Sequence, residues 1–355
     1  MNDQEKAFLF ELLATPSPSG WEAPGQRVWA NRMRELADSV HSDAYGNAWA
    51  TIAGENGFTV MLEAHADEIG LIVKHISDEG FITMAPLGGS DRTIAGARRL
   101  RIFGDKGEVP GVIGNTAPHL RDTGKDKIIE WKEHFVDVGA SSAEEVAKLG
   151  IRVGHPAVLA DQAEELPSGR MVGRAIDNRI SGFLLTRVFA ELKASGKTWA
   201  STVAVNAVQE EIGSFGVQMV THRLFPSVAL CFDVTHATDT PGINPKEHGE
   251  IVLGGGPTLT HGMSNHPLVV QRLIDLATQH GIPIQHEAVS RSTRTDTDQI
   301  FVTREGVPSA LVSIPLRYMH SPTELVDLRD VENAVKLVVA FVQSLRPGDT
   351  FFTKI

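Results

Sequence analysis

The run Thr202-Val-Ala-Val-Asn-Ala-Val208 reads as a buried strand, and two adjacent glutamates, Glu210 and Glu211, stand at its end. Carboxylates at the end of an apolar strand are costly to desolvate unless a charge partner meets them. The fold must therefore bring that partner to the same edge. Other apolar stretches end in the same way: Leu62-Glu-Ala-His-Ala-Asp67, Ala175-Ile-Asp-Asn-Arg179, Cys231-Phe-Asp233 and Tyr318-Met-His-Ser-Pro322. Each puts an imidazole or carboxylate at or just past an apolar run. A bound pair of divalent cations accounts for all of them together.

The rest of the chain predicts how these segments are arranged. Gln4–Ala14 and Trp21–Ala37 read as amphipathic helices separated by a Pro-Ser-Pro-Ser-Gly turn, and Thr59–Glu63 as a short buried strand. From Leu71 to about Gly114, short strand-like runs are broken by Gly, Pro and Asp, with Gly104-Asp-Lys-Gly107 as a hairpin turn. Thr123–Glu133 is charged and reads as a mobile loop. Ser141 is placed to cap a helix over Ser142–Leu149, with Glu144 completing a capping box. Beyond Val172, helices over Ile180–Ala194, Pro267–His280 and Asp330–Leu345 alternate with strands into Glu210, over Val228–Phe232 and over Ser309–Ile314. That alternation predicts an α/β fold with a mixed central sheet flanked by helices. The expected catalytic domain is discontinuous, residues 1–70 plus 165–355, interrupted by a small β domain at 71–164.

Composition removes some functions. The net charge of −11 argues against nucleic acid as the main partner. One cysteine, Cys231, excludes an intramolecular disulfide and suits a reducing compartment; it reads as a small core residue. No signal peptide or membrane span is visible, which places the protein in the cytoplasm.

The candidate ligands fall at the C-terminal ends of separate strands or in the loops that follow, the edge where open α/β sheets bind ligands. His and carboxylate ligands without thiolates suit Zn²⁺ first, with Co²⁺ or Mn²⁺ as alternatives. Two cations about 3.5–4 Å apart need one bridging carboxylate and further ligands on each side. His65, Asp177, Glu211, Asp233 and His320 match that count. Glu210 is left over to act as general base and acid. Asp67, two residues after His65, is placed to orient the imidazole through its second nitrogen.

Each motif alone has a plainer reading. Asp177-Asn178-Arg179 can be a helix cap followed by solvated residues, Asp233 a turn residue, His320-Ser-Pro322 ordinary loop chemistry, and the glutamate pair an exposed strand end. Five separate strand-end placements are what favour the metal reading. His119, His236, His261 and His266 read as surface or core residues. Gly254-Gly-Gly-Pro257 lacks the Lys and Ser/Thr of a phosphate loop, and no Gly-x-Ser-x-Gly elbow is present. A glycosidase reading of Glu210 and Glu211 fails because catalytic carboxylates there flank a bond, whereas neighbours on a strand point to opposite faces.

In this order, these residues resemble the M42 family of dinuclear metallo-aminopeptidases, which includes the TET peptidases and glutamyl aminopeptidases. The likeness runs nearly end to end, through Ser17-Pro-Ser-Gly-Trp-Glu22, His65-Ala-Asp-Glu-Ile-Gly70, Pro118-His-Leu120 and Val136-Asp-Val-Gly-Ala140. It continues through Ala175-Ile-Asp-Asn-Arg179, Gln209-Glu-Glu-Ile-Gly213, Asp233-Val-Thr-His-Ala237 and Pro315-Leu-Arg-Tyr-Met-His-Ser-Pro322. The resemblance implies that His65 and Asp233 hold one cation and Glu211 and His320 the other. It also implies that Asp177 bridges them and that Glu210 is the catalytic base, with Asp67 behind His65. Further implications are a cis Asp177–Asn178 peptide, a PDZ-like β-barrel for the inserted dimerisation domain, peptide substrates, and a homo-oligomer, a dodecamer built from dimers.

One segment departs from the family pattern. Arg291-Ser-Thr-Arg-Thr-Asp-Thr-Asp298 stands where many relatives carry a Gly-Gly-Thr-Asp-Ala type of loop. Arg291 and Arg294 are either solvated loop charges or part of the substrate pocket. Two other functions use the same ligands: a deacylase of small N-acylated amino acids, and a non-catalytic scaffold, which would have no need of Glu210.

Overall fold

In the computed structural model, described here for residues 1–55, 57–120, 128–196 and 198–355, side-chain alternation along the strands decides the layers. The chain enters through helices α1 (Asp3–Ala14) and α2 (Ala23–Arg34) and strands β1 (Ser39–Ser42), β2 (Ala48–Ile52) and β3 (Thr59–His65). Six strands follow: β4 (Gly70–Ile76), β5 (Ile82–Leu87), β6 (Arg99–Gly104), β7 (Gly107–Ile113), β8 (Val136–Asp137) and β9 (Pro156–Leu159), with helix α3 (Ala143–Lys148) before the last. These six close into an antiparallel barrel in the order β4-β5-β8-β7-β6-β9. The chain then forms β10 (Glu164–Glu165), β11 (Arg170–Gly173), α4 (Ile176–Ser195), β12 (Ser201–Ala207), α5 (Phe215–Leu224) and β13 (Val228–His236). It ends with α6 (Pro245–His248), β14 (Thr258–Gly262), α7 (Pro267–His280), β15 (Gln285–Val289), α8 (Thr297–Ile300), β16 (Ser309–Arg317), β17 (Glu324–Asp327) and α9 (Leu328–Ser344).

The large sheet has 11 strands: nine in the order β1-β2-β12-β3-β13-β16-β17-β11-β10, with β14 branching from β16 and β15 paired to β14. Its centre, β12-β3-β13-β16, is parallel. Successive side chains point to opposite faces. Val60, Leu62 and Ala64 of β3, Leu230, Phe232 and Val234 of β13, and Val312 and Ile314 of β16 pack on one side against α4, α7 and α9, in a core that α1 and α2 complete. Each such fully buried leucine or phenylalanine contributes about 2 kcal/mol of apolar burial. The other face changes along its length. Met61, Ala229, Cys231 and Leu311 are apolar and packed under α5 and α8, but the same face then carries Glu63 and His65 on β3 and Asp233 on β13. Because the strands are parallel, those polar ends share one sheet edge.

Several local expectations shift by a few residues. The strand before the glutamates stops at Ala207, because the Asn47 side chain accepts the Val208 N–H at 2.9 Å and turns the chain out of the sheet. Glu210 and Glu211 therefore lie in a turn, and the expectation that they point to opposite strand faces does not apply. Helix α2 is shorter than Trp21–Ala37 at both ends: the Trp21 N–H closes a turn onto the Pro18 oxygen at 2.8 Å, and the Leu36 and Ala37 N–H groups both turn back to the Met33 oxygen. The cap of α3 is Ser142, whose Oγ accepts from Glu145 N, one residue later than expected. Helix α4 starts before Ile180 but breaks at Asp177 and Asn178, which have non-helical dihedrals. The Asp177–Asn178 peptide is cis. Of the charged segment Thr123–Glu133, residues 123–127 lie outside the described residues, and Trp131–Glu133 forms a 3₁₀ turn. Among the described residues no helix is long and apolar enough to cross a membrane.

Candidate metal centre

His65 closes β3 and Asp233 lies near the end of β13, in register with it: Cys231 pairs with Glu63, so Asp233 falls level with His65. Asp177 comes from the break at the start of α4, Glu210 and Glu211 from the turn after β12, and His320 from the loop after β16. All six side chains line one cleft of about 810 Å³. His65, Asp177 and Asp233 offer ligand atoms lying within 4.8 Å of one another, as do Asp177, Glu211 and His320. Asp177 belongs to both groups. Its Oδ1 lies 3.3 Å from His65 Nε2 and its Oδ2 lies 3.4 Å from His320 Nε2. Asp233 Oδ1 is 3.7 Å from His65 Nε2, and Glu211 Oε2 is 3.4 Å from His320 Nε2.

Asp67 does more than orient an imidazole. His65 Nδ1 meets the Asp67 main-chain oxygen at 3.2 Å and its carboxylate at 3.4 Å, which directs Nε2 into the cleft. The carboxylate also accepts from Ser19 Oγ at 2.7 Å and from the main-chain N–H groups of Glu210 and Glu211 at 3.0 and 3.1 Å. Glu22 accepts the preceding Gln209 N–H at 3.2 Å, so three consecutive donors of the glutamate turn end on buried carboxylates. Gln209 itself has a left-handed φ of 62°.

The charges are out of balance. Burial pushes Glu210 up to about 9, with Asp296, Asp233 and Asp67 adding to it against the pull of His65. Burial and then Asp177 push Glu211 well above the usual carboxylate range. Asp233 is raised by burial despite His65. For His65, burial opposes protonation, but Asp177, Asp233 and Asp67 outweigh it and raise the imidazole. Burial also opposes ionisation of Asp177, which His320 and His65 together hold low. Among the described residues Asp177 Oδ1 and Glu211 Oε1 are buried without a hydrogen-bond partner. Orphaned carboxylate oxygens, excess negative charge and inward imidazole nitrogens are the donor set that a pair of divalent cations requires. The residues fit the ions.

Sequence reasoning missed Glu324, which accepts the Asp177 N–H at 3.0 Å and the His320 N–H at 2.9 Å. Burial and then Asp177 push it well up. It missed Gly88 and Gly89 as well, in the barrel loop after β5. A Cβ on Gly89 would stand 2.4 Å from His320 Nδ1 and one on Gly88 would stand 3.1 Å from Glu211 Oε2. Paired glycines in a loop are a legible signal of close backbone approach. Arg294 lines the cleft with a left-handed φ of 60°, whereas Arg291 is exposed outside it. Cys231 is buried, its thiol 3.1 Å from Glu63 Oε2.

Known proteins resemble this chain in sequence and in fold. The family model described as M42 glutamyl aminopeptidase matches residues 46–337. A lysyl aminopeptidase of Pyrococcus furiosus is 37% identical over 347 residues, 96% of this chain and 98% of that one. The crystal structure of a TET aminopeptidase from a marine sediment archaeon of the Thaumarchaeota superposes with a TM-score of 0.93 at 32% identity, covering 97% of each chain. The Pyrococcus horikoshii TET1 peptidase, which can assemble into a tetrahedron or a large octahedral shell, superposes with a TM-score of 0.86 at 27% identity. That match covers 96% of this chain and 100% of the other.

Proposed function

Since this chain belongs to the M42 family of aminopeptidases, we propose that it removes N-terminal residues from peptides using two divalent cations, Zn²⁺ or else Co²⁺ or Mn²⁺. His65 and Asp233 are assigned to one cation, Glu211 and His320 to the other, and Asp177 to both. The observation that carries this reading is the split of the Asp177 carboxylate, one oxygen toward each histidine. When bound, such ions polarise the scissile carbonyl and make an attacking water more acidic.

Glu210 is assigned the proton transfers. Its Oε1 lies 3.4 Å from Ser214 Oγ, and Oε2 lies 3.9 Å from His65 Nε2 at the centre of the cleft. Oε2 takes the proton from the attacking water as the new C–O bond forms. It returns the proton to the amine as the C–N bond breaks. Asp67 and Glu22 hold the turn that presents this carboxylate. Assembly is proposed to follow the family pattern, a cytoplasmic dodecamer built from dimers through the barrel. In support, Phe81 and Phe135 form an edge-to-face pair on the barrel that is 40% and 41% exposed.

The test is hydrolysis of a panel of aminoacyl-p-nitroanilides by metal-free protein, repeated after adding Zn²⁺, Co²⁺ or Mn²⁺. Cleavage restored by a cation supports the reading and ranks the side chains. Silence across the panel with two cations bound, together with cleavage of N-acyl amino acids, would replace it with the deacylase.

A further inference from the structure

We propose that Glu324 is a positioning residue that sets the Asp177–Glu211–His320 side of the cleft. It opens β17 and is 2% exposed. Its Oε2 accepts the Asp177 N–H and its Oε1 accepts the His320 N–H, so one carboxylate ties together two loops far apart in sequence. Neither loop has a conformation that regular structure maintains. Asp177 sits in the non-helical break of α4, and His320 has a left-handed φ of 61°. Where the two side chains point therefore depends on what grips their main chains.

The chemistry of the grip is specific. Both oxygens of a carboxyl group, ionised or protonated, can accept from two converging N–H donors, whereas a glutamine of the same shape turns an NH₂ toward one of them. Asp67 grips the turn carrying Glu210 and Glu211 in the same manner. Asp67, with Glu22, thus holds the glutamate turn, while Glu324 holds the main chains of Asp177 and His320. Both Glu324 oxygens are occupied by backbone donors, which sets it apart from the proposed ligands, whose oxygens include buried ones without partners. Of the two candidate groups, Asp177–Glu211–His320 has two members held by Glu324, and His65–Asp177–Asp233 has one. Loss of Glu324 should fall mainly on the first group.

The inference rests on the cation reading of the cleft, and its experiment separates the two. Metal-free wild type, Glu324→Gln and Glu324→Ala are titrated with Zn²⁺ by calorimetry, with folding of each metal-free protein checked by circular dichroism. In Glu324→Gln one of two binding events should weaken about 10–100-fold, the usual cost of removing a group that orients a ligand. The other should stay within about threefold. Glu324→Ala should weaken the same event further. Two unchanged events, equal weakening of both, or failure of both variants to fold would overturn the proposal. Absence of any binding event in wild type would instead overturn the cation reading itself.

Discussion

Asp67 and Glu68 are chain neighbours, and both are buried, yet they belong to two acidic regions with opposite electrostatics. Glu68 faces Arg174 and Arg179. Arg179 Nη2 lies 2.8 Å from its Oε1, Arg174 contacts its Oε2, and the Ser17 N–H donates to it at 2.9 Å. Burial pushes the Glu68 carboxyl up, but the two guanidinium groups outweigh it and hold it low. Asp67, which burial pushes up but His65 and Ser19 hold low, looks the other way, toward a cleft where Glu210, Glu211 and Asp233 are all pushed up. The contrast separates two uses of a buried acid. A compensated one ties segments together; an uncompensated group, converging with imidazoles, prepares a place for a cation.

The largest expected effect is on turnover. Glu210→Gln should lower kcat by about 10²–10⁴-fold with both cations retained, measured by steady-state kinetics beside metal analysis. Substantial activity in the fully loaded variant would remove Glu210 from its role. On the compensated side, Glu68→Gln leaves two buried guanidinium groups without their counter-charge. It should cost about 3–5 kcal/mol of stability in urea unfolding, and a loss under 1 kcal/mol would erase the contrast. Cation binding should act only on the cleft: Zn²⁺ at about 1,000 times its Kd adds about 4 kcal/mol for one site. The increment should be equal in wild type and Glu68→Gln by thermal melting.

The pH dependences should have opposite signs. Glu210 in the folded, metal-free protein is raised to about 9 from 4.5, so the folded state binds the extra proton and stability falls as pH rises from about 4.5 to 9. Glu22, raised to about 7 by burial and then by Asp67, adds to that fall. Glu68 is depressed, so its contribution is present above 4.5 and is lost as pH falls through its lower folded value. Denaturation across pH with and without cations checks both, and a slope between about pH 7 and 9, above the range of Glu22, that survives saturating Zn²⁺ would count against the cleft assignment. The smallest effect is at the cleft mouth. Arg294→Glu should change the ratio of kcat/KM between acidic and basic N-terminal residues by about fivefold, the scale of an exposed ion pair near 1 kcal/mol.

Elements with local signals were legible. Helix α7 runs over Pro267–His280 as its sequence indicates, with proline in the first turn and Gly281 in a left-handed cap. The hairpin at Gly104–Gly107 follows its glycines. The polar ends of the parallel strands were legible too, because an ionisable group at the end of an apolar run stands out against period-two burial. What could not be read depends on partners distant in the chain. The strand end at Ala207 needed Asn47. Glu324 was invisible because its partners are two backbone N–H groups, which every non-proline residue carries.

By itself the sequence determined the residue types at the cleft and the sheet edge on which they gather, since both follow from local patterning and the handedness of parallel strands. Only the tertiary structure decided that the two Asp177 oxygens face different histidines and which carboxylates are gripped by backbone donors, left bare or matched by arginine. Those are distances of 3–4 Å between groups on separate loops, and packing of the whole chain fixes them, not any local preference.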